Sequence, residues 1–488
     1  MIITPQILKG FRDMLPEQEL FRRQILRALE DTCRRFGFAP IDTPILEYSE
    51  VLLGKGGGET DKQIYRFEDR GRRDIAMRFD LTVPLARYMA LHLNELYLPF
   101  RRYHFAKVFR GENPQRGRYR EFIQCDFDIV GADSAAADFE ILQLMYESFR
   151  ALGLRRAHFR ISHRGMFNRF LKKIDVDDHA GVLRAVDKLA KIGADKTREL
   201  LGAITNTKAA AEILEFIQAD AGAAGGGGAD GNERTLARME ELSGGESDDS
   251  LRMRSILKLA KEDAESAGGA DAGGAKESAD AGGAKESAGA SGNGALAQHI
   301  LIDPSITRGL DYYTGIVYET FLTDLPEIGS VCSGGRYNDL ASLYTKTPLP
   351  GVGSSIGLDR LIAAMGELSA KSDAGSGIAA QAFFGARSAD VLICMLGEQH
   401  LAWYTALARQ FRKAGLNTEI YPLQRKLAQQ FTYAEKKHIP LGIIAGETEI
   451  AENLLNYRDL INRESREHIS IETAIDLCRQ YIDSRFTR

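Results

Sequence analysis

The chain has 488 residues, a length that suits two to four domains rather than one. Hydrophobic residues make up 44% and charged residues 27%, the proportions of a soluble globular protein, which excludes a collagen-like, coiled-coil or wholly disordered chain. Lys plus Arg number 63 against 68 Asp plus Glu, so any basic site for a nucleic acid must be a local cluster rather than a property of the whole chain. No apolar run approaches the roughly 20 residues of a membrane helix. Met1 to Pro16 lacks the basic and apolar regions of a secretory signal. Cys33, Cys125, Cys332, Cys394 and Cys478 are too scattered for a zinc site or a disulfide framework. The expectation is a reduced, cytoplasmic protein with no membrane partner.

In chain order, the first predicted element is a helix from Glu17 to Phe36. Phe21, Ile25, Leu29, Cys33 and Phe36 form one apolar stripe, and Gly37 is placed to end the helix. Phe38 to Leu46, with two prolines, reads as an extended edge segment. Tyr103–Arg110 and Glu121–Val130 alternate as strands. In the second, Ile123, Cys125, Phe127 and Ile129 share one face, and Gln124, Asp126 and Asp128 share the other. That pattern fits a sheet roofing a polar cleft, or a sheet with one solvated face. Asp126, His104 and Cys125 read as structural residues. The loop between the strands carries Arg110, Arg116, Arg118 and Arg120 among two glycines and a proline. Planar guanidinium donors suit phosphates and carboxylates.

Helical patterns at Leu183–Phe216 and Glu233–Lys261 suggest an inserted helical module. Between them Ala219–Asn232 reads as flexible. After them Ser266–Gly294 reads as disordered, because the nine residues Ala270–Ser278 recur as Ala279–Ser287 and cannot bury enough apolar surface. Three segments follow: Thr307–Gly315, with Arg308 and adjacent Tyr312 and Tyr313; Ser333–Tyr337; and Gly351–Arg360, a glycine-rich strand opening a helix at Asp359 and Arg360. No GxxxxGK[ST] and no GxGxxG is present, so the common nucleotide folds lack support. Lys371–Ser388 reads as a linker. Beyond it, alternating strands and helices predict a small, mostly parallel α/β domain.

Taken in this order, Gly37–Glu47, Val108–Asp128 and Gly357–Arg360 resemble the three motifs of class II aminoacyl-tRNA synthetases. Arg308–Tyr313 and Gly334–Tyr337 resemble the signatures of the histidyl-tRNA synthetase family, and Arg78–Pro84 resembles its DLT-type subgroup. The resemblance spans the chain from Gly10 to the C-terminal domain, leaving out the low-complexity stretch. It implies an α+β fold: an antiparallel-sheet catalytic domain (residues 1–165 and 299–370) with a helical insertion (166–298, disordered at about 266–294). A linker (371–388) and an α/β anticodon-binding domain (389–488) complete it.

The implied reaction joins L-histidine to ATP with Mg²⁺, then passes the histidyl group to tRNA(His), in a homodimer. By similarity Arg110 and Arg308 are the catalytic residues. Asp80, Thr82 and Gln124 hold the α-ammonium of histidine, Leu81 belongs to the same histidine-binding set, and Asp128, Tyr312, Tyr313 and Tyr337 surround the imidazole. Glu112 contacts adenine, Arg118 and Arg360 hold the outer phosphates, and Gln115 and Arg116 approach the tRNA acceptor end. No protein-only metal cluster is implied. The chemistry agrees: attack of a carboxylate on phosphorus needs two anions held together and neutralised, not a protein nucleophile. Two rivals share the fold, a regulatory subunit of ATP phosphoribosyltransferase and a non-catalytic RNA-binding relative. The first lacks an anticodon-binding domain, and both have broken motifs.

Overall fold

The structure is a computed structural model that describes residues 3–54, 63–115, 117–218, 229–273, 295–306, 312–371 and 387–486. The chain divides into two compact units, Met1–Arg12 with Ala28–Ser376, and Asp13–Arg27 with Gly377–Arg488. The first helix, Pro16–Arg35, contributes to both. Its stripe is buried at Phe21, Ile25, Leu29 and Cys33.

The first unit is built on an eight-stranded sheet. Its strands are β1 (Ala39–Pro40), β5 (Phe100–Phe109), β6 (Glu121–Val130), β7 (Ala157–His163), β8 (Ile300–Ile302), β9 (Ile316–Leu322), β10 (Cys332–Arg336) and β11 (Gly351–Gly357). They lie in the order β1-β5-β6-β11-β10-β9-β7-β8. The outermost pairs, β1 with β5 and β7 with β8, are parallel, and the pairings between are antiparallel. Two-residue β1 is an edge strand, as the prolines require, so within Phe38–Leu46 only Ala39–Pro40 and the terminal Leu46, which opens a second strand, are strand. A smaller antiparallel sheet joins β2 (Leu46–Tyr48), β4 (Asp74–Met77) and β3 (Arg66–Glu68).

One face of the main sheet is covered by the helix Ala135–Ala151, which Ser134 caps by accepting the Ala137 amide at 3.2 Å. Both faces of β6 are buried: Asp126 and Asp128 are each 2% exposed, so the solvated-face reading of this strand is set aside.

The insertion contains helices His179–Val186, Ala194–Ile204, Thr207–Ile217, Ala229–Ser243 and Asp248–Gly273. Two expectations are corrected here. Ala229–Asn232 is helical rather than flexible. Asn232 is buried, donating to Ile300 O at 2.9 Å and accepting from Ile302 N at 2.8 Å, which locks that helix to β8. The helix from Asp248 also runs through Ser266 to Gly273, where composition suggested disorder. The remainder of both stretches, 219–228 and 274–294, lies outside the described residues, as does 372–386 of the expected linker.

The second unit has a five-stranded sheet of β12 (Val391–Ile393), β13 (Thr418–Ile420), β14 (Leu441–Ile444), β15 (Leu454–Asp459) and β16 (Ser465–Ser470), ordered β13-β12-β14-β15-β16. The first three strands are parallel, but β15 and β16 run antiparallel. A mostly parallel domain therefore becomes a mixed one. Helices Leu401–Lys413 and Leu427–Lys436 connect the parallel strands. Tyr404, Leu407 and Phe411 pack with Val391, Ile393 and Leu441 in its core. All five cysteines are buried. Burial pushes the thiols of Cys33, Cys394 and Cys478 up to about 12.

Candidate active site

The central strands β6, β11 and β10 floor a cleft of about 350 Å³. Two sets of side chains converge in it.

The first set is cationic. Arg110, leaving β5, donates from Nε to Phe79 O at 3.0 Å and lies over the Phe122 ring at 5.1 Å. Arg118 sits in the hairpin loop, where Gln115 and Arg118 exchange both backbone hydrogen bonds at 3.0 and 2.9 Å. Gly117 takes φ +70° at this turn, a conformation that favours glycine. Arg118 approaches Glu112 at 3.7 Å. Arg360, in the first turn of the helix Leu358–Lys371, donates to Ser330 O. All of Arg110, Glu112, Arg118 and Arg360 line the cleft. Beside them Asp359 is fixed on both oxygens, by the Arg12 guanidinium and by Ile123 N at 2.9 Å. Arg12 also stacks on Tyr119 at 3.9 Å.

The second set is acidic, amide and phenolic: Asp80, Thr82, Gln124, Tyr312 and Tyr313 line the same cleft. Asp80 is 2% exposed. Its Oδ1 accepts Val83 N at 3.0 Å, while Oδ2 accepts no hydrogen bond. Gln124 donates to Ser355 Oγ at 3.0 Å and leaves Oε1 without a donor. Two buried acceptors without donors are costly unless a ligand supplies them. Burial raises the Asp80 carboxyl above the usual range, opposed by the Val83 amide and by Arg110.

Asp128 and Tyr337 lie buried below the cleft, and the Tyr337 hydroxyl donates to Asp128 Oδ1. Tyr337 packs edge-on to Tyr312, centroids 6.2 Å apart, and Tyr312 and Tyr313 are 4.8 Å apart. Gly353 stands opposite Asp128 in the β6–β11 register, and a Cβ there would overlap the Asp128 carboxylate. Leu81 is fully buried and is not among the cleft residues; its carbonyl accepts from Arg102 at 3.4 Å. Gln115 is at the hairpin turn rather than among the cleft residues. Arg308 and Arg116 lie outside the described residues. His104 is buried and bonded to Asp42 at 3.0 Å, and Cys125 is fully buried.

Sequence reasoning missed Arg102. It is fully buried on β5, directly opposite Asp128 in the register, with Nη2 2.7 Å from Asp128 Oδ2. The available signal was an arginine facing an aspartate across adjacent strands.

Comparison with known proteins places this architecture. The family model described as "Histidyl-tRNA synthetase" matches residues 10–243 and 178–361, and that described as "Anticodon binding domain" matches residues 390–481. A histidine–tRNA ligase of Treponema denticola is 46% identical over 475 residues, covering 96% of each chain. One from Rhodopirellula baltica is 40% identical over 469 residues, again covering 96% of each. A crystal structure of histidyl-tRNA synthetase from a Nostoc species superposes with a TM-score of 0.78 at 28% identity, covering 98% of this chain and all of the other. The eight-stranded catalytic sheet, the converging arginines and the near full-length relatives agree: the chain belongs to the histidyl-tRNA synthetase family.

Proposed function

We propose that the chain is a histidine–tRNA ligase. It joins L-histidine to ATP, giving histidyl-adenylate and pyrophosphate, and transfers the histidyl group to the 3′ end of tRNA(His). The observation that carries this reading is one cleft in which Arg110, Arg118 and Arg360 face Asp80, Thr82 and Gln124. The arginines suit a triphosphate and a carboxylate, being charged at any working pH. Asp80 Oδ2 and Gln124 Oε1 are acceptors awaiting an ammonium. Asp128 and Tyr313 supply the acceptor and donor that a neutral imidazole requires.

In the first step a histidine carboxylate oxygen bonds to the α-phosphorus as the bond to pyrophosphate breaks. Arg110 holds the α-phosphate and the carboxylate together. Arg118 and Arg360 neutralise the leaving pyrophosphate, and Glu112 contacts adenine. Arg308 stabilises charge developing on the α-phosphate, a role that rests on family resemblance. In the second step the terminal ribose hydroxyl displaces AMP, with Gln115 and Arg116 near the acceptor end. Mg²⁺ enters with the substrate as MgATP. The anticodon-binding match at 390–481 favours the ligase over the regulatory-subunit alternative.

The working form is a homodimer. Leu46, Tyr48 and Phe67 of the small sheet are 44 to 52% exposed, an apolar surface that a second copy would cover. No helix among the described residues is long and apolar enough to cross a membrane, and a cytoplasmic location fits the reaction. Histidine-dependent exchange of pyrophosphate into ATP, followed by charging of a tRNA(His) transcript, tests the reading. Exchange with another amino acid, or none, overturns it.

A further inference from the structure

Three carboxylates lie around one guanidinium beneath the cleft. Arg102 Nη2 is 2.7 Å from Asp128 Oδ2 and 3.9 Å from Asp126 Oδ2, and it donates to Leu81 O at 3.4 Å. Arg102 is wholly buried, while Asp80, Asp126 and Asp128 are each 2% exposed. Other groups reach this cluster from every side. Tyr337 bonds Asp128, Ser355 stands opposite Asp126 in the β6–β11 register, and Cys33, Arg78, Arg110 and His104 act on the cluster electrostatically.

The charges can be followed. A guanidinium keeps its proton at any working pH. Burial and Asp128 push the Asp126 carboxyl up, against the pull of Arg102, and Arg102 pairs with the nearer carboxylate, Asp128 at 2.7 Å, rather than with Asp126 at 3.9 Å. Arg102 and Asp128 then form a neutral pair. A neutral imidazole with one N–H can donate to such a pair without adding charge. A cationic side chain would bring an unbalanced charge into a dry pocket, which is costly.

We propose that Arg102 is a positioning residue that sets substrate charge: it cancels the Asp128 carboxylate, so the pocket accepts neutral imidazole and rejects imidazolium and other cations. This rests on the reading of Asp128 as the imidazole acceptor. The sequence encodes it as a cross-strand pair, Arg102 opposite Asp128 on the two longest strands of the sheet.

The test is pyrophosphate exchange by the full-length enzyme between pH 7.5 and 5.5. Histidine is compared with 1,2,4-triazole-3-alanine, whose ring stays neutral over this range. The ratio of the two kcat/KM values cancels titrations of the protein itself. In the wild type it should fall about tenfold, following loss of neutral imidazole below about pH 6.5. Arg102→Lys, which keeps the charge, should retain the fall. The double variant Arg102→Met, Asp126→Asn leaves Asp128 uncancelled, and its ratio should change less than about twofold. A wild-type ratio that does not fall overturns the proposal without any variant. So does a folded double variant that keeps the tenfold fall. Asp128→Asn separates the two claims: if it leaves the histidine KM unchanged at pH 7.5, the assignment of Asp128 itself has failed.

Discussion

Arg336 and Asp138 form a buried fork, Nε and Nη2 of the arginine both donating to Oδ1 of the aspartate at 2.9 and 2.7 Å. The second oxygen of Asp138 accepts from Arg252 Nε at 2.5 Å, and Arg252 Nη1 donates to Asp133 at 2.6 Å. One carboxylate thus ties the inserted helix Asp248–Gly273 to β10, next to Tyr337, which holds Asp128.

Asp138→Ala should therefore be strongly destabilising. It leaves the buried Arg336 guanidinium with only the half-exposed Asp133 carboxylate, at 3.4 Å, as a counter-charge, and breaking a buried pair costs about 3–5 kcal/mol. Thermal melting should show a clear loss. Arg252→Ala removes the partly exposed member and should cost much less. Equal losses from the two changes would show that the fork is not the controlling pair.

Gly353→Ala should damage histidine use selectively. The added methyl would overlap the Asp128 carboxylate, the proposed imidazole partner. A displacement of about 1 Å at a reacting site can cost about 100-fold in kcat/KM. Exchange kinetics should show that loss for histidine with little change in the KM for ATP. A uniform loss for both substrates would point to disruption of the sheet.

The strands and the cleft were largely legible in the sequence, and the counter-charge was not. Alternation in Glu121–Val130 assigned Gln124, Asp126 and Asp128 to one face, because side chains on a strand repeat every two residues. That pattern could not show that both faces are buried, since burial depends on what β5 and β11 bring. Arg102 sits in a local FRRYHF run with no period to mark its depth. Only the register with Asp128 does. The glycine run Gly225–Gly228 suggested that flexibility extends to Asn232, whereas the Asn232 amide bonds to β8, far away in sequence. In the C-terminal domain the helix Glu447–Glu452 continues the strand–helix alternation past β14, but β15 and β16 pair antiparallel, a direction that the alternation does not encode.

Asp126 should make the free enzyme less stable as pH rises. Its folded carboxyl is raised to about 7 from an unfolded value near 4. The folded state therefore holds more protons across that window. The contribution is fully present below about pH 4 and is lost as pH rises through about 7. Asp126→Asn removes this term. Melting temperatures from pH 4 to 8, taken as the difference between wild type and variant, should show the wild type losing ground with rising pH. A difference independent of pH would refute the protonated assignment.

Arg308→Ala should lower the rate of adenylate formation by about 10²–10³, the usual cost of losing one group that stabilises developing charge. Histidine binding should fall far less, because the interaction strengthens in the transition state. Arg308→Lys should restore little, for lack of the planar fork. A pre-steady-state rate near wild type, in a variant of unchanged melting temperature, would remove Arg308 from the catalytic set.

Every one of the five thiols is buried, and those of Cys33, Cys394 and Cys478 resist ionisation. A maleimide reagent needs a thiolate it can reach, so the native protein should give almost no labelling background under folding conditions. The molecule is thereby ready for single-cysteine fluorescence without first removing its own cysteines. One thiol introduced on the exposed side of the helix Ala229–Ser243, at Glu233 for instance, would report on the insertion while tRNA binds.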